Sequence, residues 1–205
     1  MILCNSKTTE RDLLQFIDDS GSPLPKHQVV HFGNQIQDQT NDALSEFIRA
    51  LIDTHFILYV STIEVRKNHE VLCLAYLELL RQGYTNLPRL VFVGSWGWGV
   101  EGLRENIELH PQLSQWVVVL EGLGDAEVSA LYQACLFTVF PSFYEGWGLP
   151  VAESLAFGKW CLASFAPSLK EIGGELLTLL LACHLLFFSQ LAFLDIYFHD
   201  HYVYY

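Results

Sequence analysis

Basic residues are scarce in this 205-residue chain: eleven Lys and Arg stand against 23 Asp and Glu, a net charge of −12, and none of the eleven lies beyond Lys170. That balance excludes a protein that holds a nucleic-acid backbone by bulk attraction, so no nucleic-acid partner is expected and any anionic ligand must be caught locally. Paired cysteines are also lacking. Cys4, Cys73, Cys135, Cys161 and Cys183 are scattered, mostly inside apolar runs, with no CxxC pair. The spacing suits buried thiols in a reducing cytosol better than a disulfide framework or a zinc site. There is no internal repeat. A signal peptide is not expected, because Met1 is followed by a short apolar run and then by polar residues.

What is present is apolar and patterned. Hydrophobic residues make up 51% of the chain and glycines number 14, which excludes disorder and collagen-like repetition and allows one compact domain, or one and a half, with a core of its own. From Met1 to about Glu175, short apolar strands alternate with amphipathic helices. This predicts an α/β fold, a Rossmann-like doubly wound parallel sheet. Strands are expected over 2–5, 28–31, 56–60, 90–93, 116–120, 136–140 and 160–163. Asn68 is placed to cap a helix over 69–81 that Gly83 closes, and Asp125 to cap one over 126–134. Residues 32–53 are polar and read as a linker and short helix, whereas 176–205 has no Lys, Arg, Gly or Pro and is dominated by Leu, Phe and Tyr. Three regions are therefore expected: 1–53, a main domain over 54–175, and an apolar tail over 176–205.

In open parallel sheets, ligands bind beyond the carboxyl ends of the strands, which directs attention to four loops. The first, STIEVRKNH, sets Arg66 and Lys67 just ahead of a helix. Two cations at the positive end of a helix repel, and an anion between them relieves that cost; the alternative is a pair of solvated surface residues. The second, GSWGWGVEG, places Gly94, Gly97 and Gly99 between Trp96 and Trp98; its glycines fit either close approach of backbone to a ligand or tight turns, and its tryptophans fit a pocket wall. The third, EGLGD, brings Gly122 and Gly124 to the same rim.

The fourth loop, PSFYEGWGLPVAESLAFG, is the most informative. Pro150 is placed for the first turn of a helix, so the backbone N–H groups of Trp147, Gly148 and Leu149 are expected to point free into the cleft. Glu145 precedes that helix and Glu153 is expected in its first turn. A carboxylate offers two acceptor oxygens and matches a vicinal diol. One Glu for a hexose, one for a ribose and N–H groups between them for a diphosphate would suit a nucleotide-sugar. The competing reading makes Glu153 a favourable first-turn acid and Glu145 a solvated loop residue.

These residues resemble the retaining glycosyltransferases of the GT-B fold, family 4 (group 1), specifically their C-terminal donor-binding domain. EGWGLPVAE, with glutamates eight positions apart, is similar to the E-x7-E motif, and STIEVRKNH resembles the family's phosphate-binding loop. LVFVGSWGWG, EGLGDAEVSALYQAC and SFAPSLKEIGGEL follow in the family's order. The resemblance implies that Arg66 and Lys67 hold the donor diphosphate and that Glu145 hydrogen-bonds the transferred sugar, these three forming the catalytic set. It also implies that the amides of Gly146, Trp147, Gly148 and Leu149 meet sugar and phosphate, that Glu153 takes the ribose hydroxyls, that the rim from Leu120 to Gly122 lies against the base, and that Gly94 belongs to the donor-binding set. The implied reaction moves a hexose, with mannose one candidate, from a nucleotide-diphosphate sugar to a glycan or lipid-linked acceptor in polysaccharide biosynthesis, with retention of configuration. Cationic groups rather than a metal stabilise the leaving diphosphate, so no metal or cofactor is expected. Lipid-linked acceptors would bring a cytoplasmic enzyme to the inner face of a membrane.

Two departures qualify the expectation. Residues 1–53 resemble only the closing portion and linker of the family's first domain, and Ser61 stands where many members carry Gly. After GGEL the family's polar continuation is replaced by 19 uncharged residues over 176–194, read as a frame change or rearrangement of the native end, with a tail anchor as the alternative. The motif HDH at 199–201 is a metal site on paper only. The chain is thus expected, as a fragment truncated at both ends, to bind donor without appreciable transfer. The alternatives are a non-catalytic nucleotide-binding or membrane-tethered module, and an inactive gene fragment.

Overall fold

The computed structural model describes residues 1–33, 44–174 and the backbone of 178–180. Two parallel sheets organise these residues. The smaller is a βαβ unit: β1 (Ile2–Cys4), α1 (Lys7–Ser20) and β2 (His27–Val29), with Leu3 paired to Gln28. Ser6 caps α1 by accepting from the Thr9 N–H, and Gly21 ends it in the left-handed conformation.

The larger sheet is built from α2 (Glu46–Ile52), β3 (Phe56–Val60), α3 (His69–Arg81), β4 (Arg89–Val93), α4 (Glu101–Leu109), α5 (Leu113–Trp116), β5 (Val117–Leu120), α6 (Asp125–Ala134), β6 (Thr138–Phe140), α7 (Leu149–Ala156), β7 (Cys161–Ser164), α8 (Pro167–Gly173) and β8 (Thr178–Leu180). All its strands are parallel, in the order β5-β4-β3-β6-β7-β8. The chain therefore winds outward in one direction from β3 and in the other from β6. Helices cover both faces, and for that reason the strands read as unbroken apolar runs such as FILYV at 56–60.

Side chains alternate across the sheet. Ile57 and Tyr59 of β3 share one core with Val71, Leu72, Ala75, Tyr76 and Leu79 of α3, while Phe56 and Leu58 share the other with Ile48 and Leu51 of α2 and Leu131 and Tyr132 of α6. By packing, α2 belongs to the larger sheet. A fully buried side chain such as Leu72 contributes about 1.5–3 kcal/mol. Cys4, Cys73, Cys135 and Cys161 are buried free thiols; Cys183 lies outside the described residues.

Two expected helix caps are corrected. Asn68 precedes α3 but sits in the left-handed region at φ 57, and its side-chain amide donates to the Pro141 carbonyl at 3.2 Å instead of capping the helix. Asp125 is the first residue of α6, where Gly124 occupies the cap position, so its charge faces the helix dipole without capping a backbone N–H. Within the apolar tail, Thr178–Leu180 adds a sixth parallel strand beside β7. The remainder of the tail, including His199 and His201, and much of the expected linker over 32–53 lie outside the described residues.

Candidate donor-binding cleft

The crevice of an open parallel sheet opens where the winding direction reverses, here between β3 and β6. The loops leaving these two strands are fastened together. A short 3-10 turn, Val65–Lys67, follows β3. The Phe143 N–H donates to the Arg66 carbonyl at 2.9 Å, and the Arg66 guanidinium donates to the Tyr144 carbonyl at 2.8 Å. The buried Tyr59 hydroxyl, at the end of β3, donates to the Lys67 carbonyl at 2.7 Å.

This fastening brings Arg66 and Lys67 onto Glu145. Lys67 Nζ lies 2.6 Å and the Arg66 guanidinium 3.1 Å from the same oxygen, Glu145 Oε1; among the described residues Oε2 has no hydrogen-bond partner. Glu64 takes the other side of Arg66 at 2.6 Å. Burial opposes the charge on Arg66, but Glu145 and Glu64 outweigh it and hold its pKa above the ordinary guanidinium value. The anion expected between the two cations is supplied by the chain itself: Glu145 stands between Arg66 and Lys67, while Glu64 takes the far side of Arg66. Glu145 is buried, with its side chain only 7% exposed, so it is not the solvated loop residue of the competing reading.

Beyond Glu145 the chain enters α7 through Gly148, at φ 111 and ψ 57, with Pro150 in the first turn. A Cβ at Gly148 would stand 2.4 Å from Leu169 Cδ2, so both the backbone angle and the close approach of α8 require glycine. Among the described residues, the N–H groups of Trp147, Gly148 and Leu149 have no hydrogen-bond partner. They face a cleft of about 510 Å³ whose lining includes Arg66, Lys67, Glu145, Gly146, Trp147, Gly148 and Leu149. Free amides at a helix start favour local negative charge, and the two cations beside them are held by Glu145 and Glu64.

The cleft has a second wall that the sequence reading missed. Asn5, directly after β1, and Phe32, after β2, line it together with Tyr144. Thr9 donates to Asn5 Oδ1 at 2.7 Å and to the Gly146 carbonyl at 3.2 Å, and His31 stacks on Trp147 with ring centroids 4.6 Å apart. Asn5 carries a positional signal in the sequence, since it too follows the carboxyl end of a parallel strand.

Three expected residues stand apart from the lining. Glu153 is four residues into α7 rather than in its first turn. Burial pushes its pKa up, and the Tyr132 hydroxyl, 2.9 Å from Oε2, pulls in the opposite direction. Gly94, at φ 152, needs its missing Cβ for protein packing, because a Cβ there would meet the Ser61 carbonyl oxygen at 2.0 Å. Gly122 stands in open space. Of the two loop tryptophans, Trp96 packs on the core with Arg104 across its ring and Trp98 is exposed, so neither walls this cleft. Among the described residues no cluster of three His, Cys, Asp or Glu side chains could hold a metal ion, and no helix is long and apolar enough to cross a membrane.

Comparison with known proteins agrees with this fold. The chain is 27% identical over 184 residues to the serotype-specific mannosyltransferase WbdA of Escherichia coli, a match covering 85% of this chain and 22% of that protein. It is 34% identical over 120 residues to the O-antigen chain mannosyltransferase B of the same organism, covering 58% of this chain and 31% of the other. The chain thus spans about a fifth to a third of these relatives' length. In fold it is similar to HepE of Anabaena, solved in complex with UDP-glucose, with a TM-score of 0.71 at 17% identity over 98% of this chain and 54% of that one. It is likewise similar to sucrose-phosphate synthase of Thermosynechococcus elongatus, with a TM-score of 0.68 at 24% identity over 94% and 49%. These neighbours are glycosyltransferases of the GT-B type, whose doubly wound α/β sheet is the one found here. The family described as glycosyl transferases group 1 matches residues 42–182, a span running from α2 to β8 and holding both fastened loops, and the chain belongs to that family.

Proposed function

We propose that this chain supplies the donor-binding part of a hexosyltransferase that takes a nucleotide-diphosphate sugar, with a mannosyl donor the first to test, and that transfer proceeds to a glycan or lipid-linked acceptor with retention and without a metal. The observation that carries the reading is the arrangement around Glu145: Lys67 and Arg66 meet on one of its oxygens, 2.6 and 3.1 Å away, beside unpaired amides at the entrance of α7. A diphosphate brings more negative charge than one carboxylate, so it competes for both cations and leaves Glu145 to accept sugar hydroxyls. As the bond between the anomeric carbon and the diphosphate oxygen breaks and one to the acceptor hydroxyl oxygen forms, the electron pair leaves with the phosphate, which also receives the hydroxyl proton. Arg66, Lys67 and the amides are the groups proposed to receive it. The mannosyltransferase relatives, and the UDP and UDP-glucose complexes of a protein with this fold, support the donor class.

Isothermal titration with GDP, UDP, GDP-mannose and UDP-glucose tests it. One nucleotide is expected to bind, and Lys67→Met to weaken it about tenfold or more, the loss of a charge-assisted contact. Glu145→Gln is expected to leave the bare diphosphate as tight or tighter, because the cations are released, while abolishing any added affinity from the sugar. Absence of heat with all four ligands from folded protein would refute the proposal. Radiolabelled donor incubated with candidate acceptors measures transfer separately from binding.

A further inference from the structure

We infer that Tyr132 is a positioning residue for ribose recognition: its hydroxyl fixes the carboxylate plane of Glu153 so that the glutamate can receive a vicinal diol. The inference rests on the nucleotide-binding reading above and adds to it a residue from a different helix. Tyr132, on α6, is 1% exposed, and its ring stacks on Phe157 with centroids 5.2 Å apart and planes 7° from parallel. A ring locked in this way delivers its hydroxyl to one place. There it donates to Glu153 Oε2 at 2.9 Å and lies 3.4 Å from the carbonyl oxygen of Pro150, in the first turn of α7.

A glutamate carboxylate rotates through a broad, roughly twofold torsion when unrestrained. A diol is recognised by two oxygens at once, so free rotation weakens it. Anchoring Oε2 removes that freedom and leaves Oε1, which has no hydrogen-bond partner among the described residues, together with the second lone pair of Oε2. Glu153 follows Leu149 by one helical turn on the same face of α7, and Leu149 lines the cleft. A nucleotide whose phosphates meet the entrance of α7 would carry its ribose along that face.

The test compares GDP and UDP with their 2′,3′-dideoxy counterparts by calorimetry on the full chain. The unmodified protein should prefer the ribonucleotide, and Tyr132→Phe should reduce that preference about five- to twentyfold while changing affinity for the dideoxy compound little. Tyr132→Phe placed on Glu153→Gln should add no further loss, since the tyrosine acts through the carboxylate. As a control for losing a buried tyrosine hydroxyl, Tyr76→Phe removes the bond to the Pro88 carbonyl and should leave the preference intact. Binding with the same ribose preference in the Tyr132→Phe protein would overturn this inference alone. Binding of no nucleotide by folded protein would overturn the parent reading and this one with it.

Discussion

At the scale of single residues, the unused histidine beneath the cleft makes the clearest prediction. His69 is 1% exposed, stacks on Tyr59 and meets the edge of Phe92, and its Nδ1 has no hydrogen-bond partner. Burial, and then the charge of Lys67, push its pKa down to about 3. In the unfolded chain it takes a proton near its ordinary value of 6.5, so the folded form binds fewer protons across the interval. Its contribution to stability is therefore full above about pH 6.5 and declines as pH falls toward 3. Between pH 7 and 5 the loss is about 2 kcal/mol. His69→Phe keeps a ring in the stack and removes the titration, so urea midpoints at pH 7 and 5 should differ less in the variant than in the parent. An identical drop in both would show that His69 does not carry the effect. The same scale marks where sequence reading stops. Arg66, Lys67 and Glu145 stand out by local spacing, but the contact between Lys67 and Glu145 joins residues 78 apart in the chain. Nothing local announces that Glu145 and Glu64 already neutralise the two cations, since Glu64 is one carboxylate among the polar residues of STIEVRKNH.

At the scale of elements, legibility follows the number of buried faces. The strands β3 and β4 were expected to within one residue, because a strand covered on both sides must be apolar throughout. The cap at Asn68 misled, because Asn also tolerates the left-handed region, and the 3-10 turn before α3 uses that property. Glu153 falls beyond the expected first turn because the helix begins already at Leu149, before Pro150 and directly after a glycine whose angle no sequence rule gives. That glycine supplies the element's own prediction. Gly148→Ala forces a left-handed angle on an alanine and drives its Cβ into Leu169, so it should destabilise the chain by about 2 kcal/mol or more. A lowered urea midpoint with an unchanged slope is the expected record, along with weakened nucleotide binding as the amides at the helix entrance shift.

At the scale of the whole molecule, the cleft is shared between the two sheets, and the connection between them can be tested. Glu171 of α8 accepts from the N–H groups of Lys7 and Thr8 at 2.8 and 2.9 Å and from the Thr8 hydroxyl at 2.8 Å. It thereby satisfies the start of α1 from across the interface. Burial alone would raise the Glu171 pKa, but these bonds, with His31 nearby, hold it below the ordinary value, so this contribution is present at neutral pH and lost in acid. Tyr144, on the loop between β6 and α7, donates to Asp12 of α1, and Thr9 reaches the Gly146 carbonyl. These contacts tie α1 to the loop that enters α7; if docking of α1 and the shape of that loop are coupled, a ligand that favours one must favour the other by the same free energy. Glu171→Ala should speed amide exchange throughout α1 while leaving α3 protected. It should also weaken nucleotide binding several-fold although residue 171 does not line the cleft. In the parent protein, saturating nucleotide should slow exchange in α1. If exchange there responds to neither the substitution nor the ligand, the two sheets do not act together, and the wall formed by Asn5 and Phe32 is incidental to donor binding.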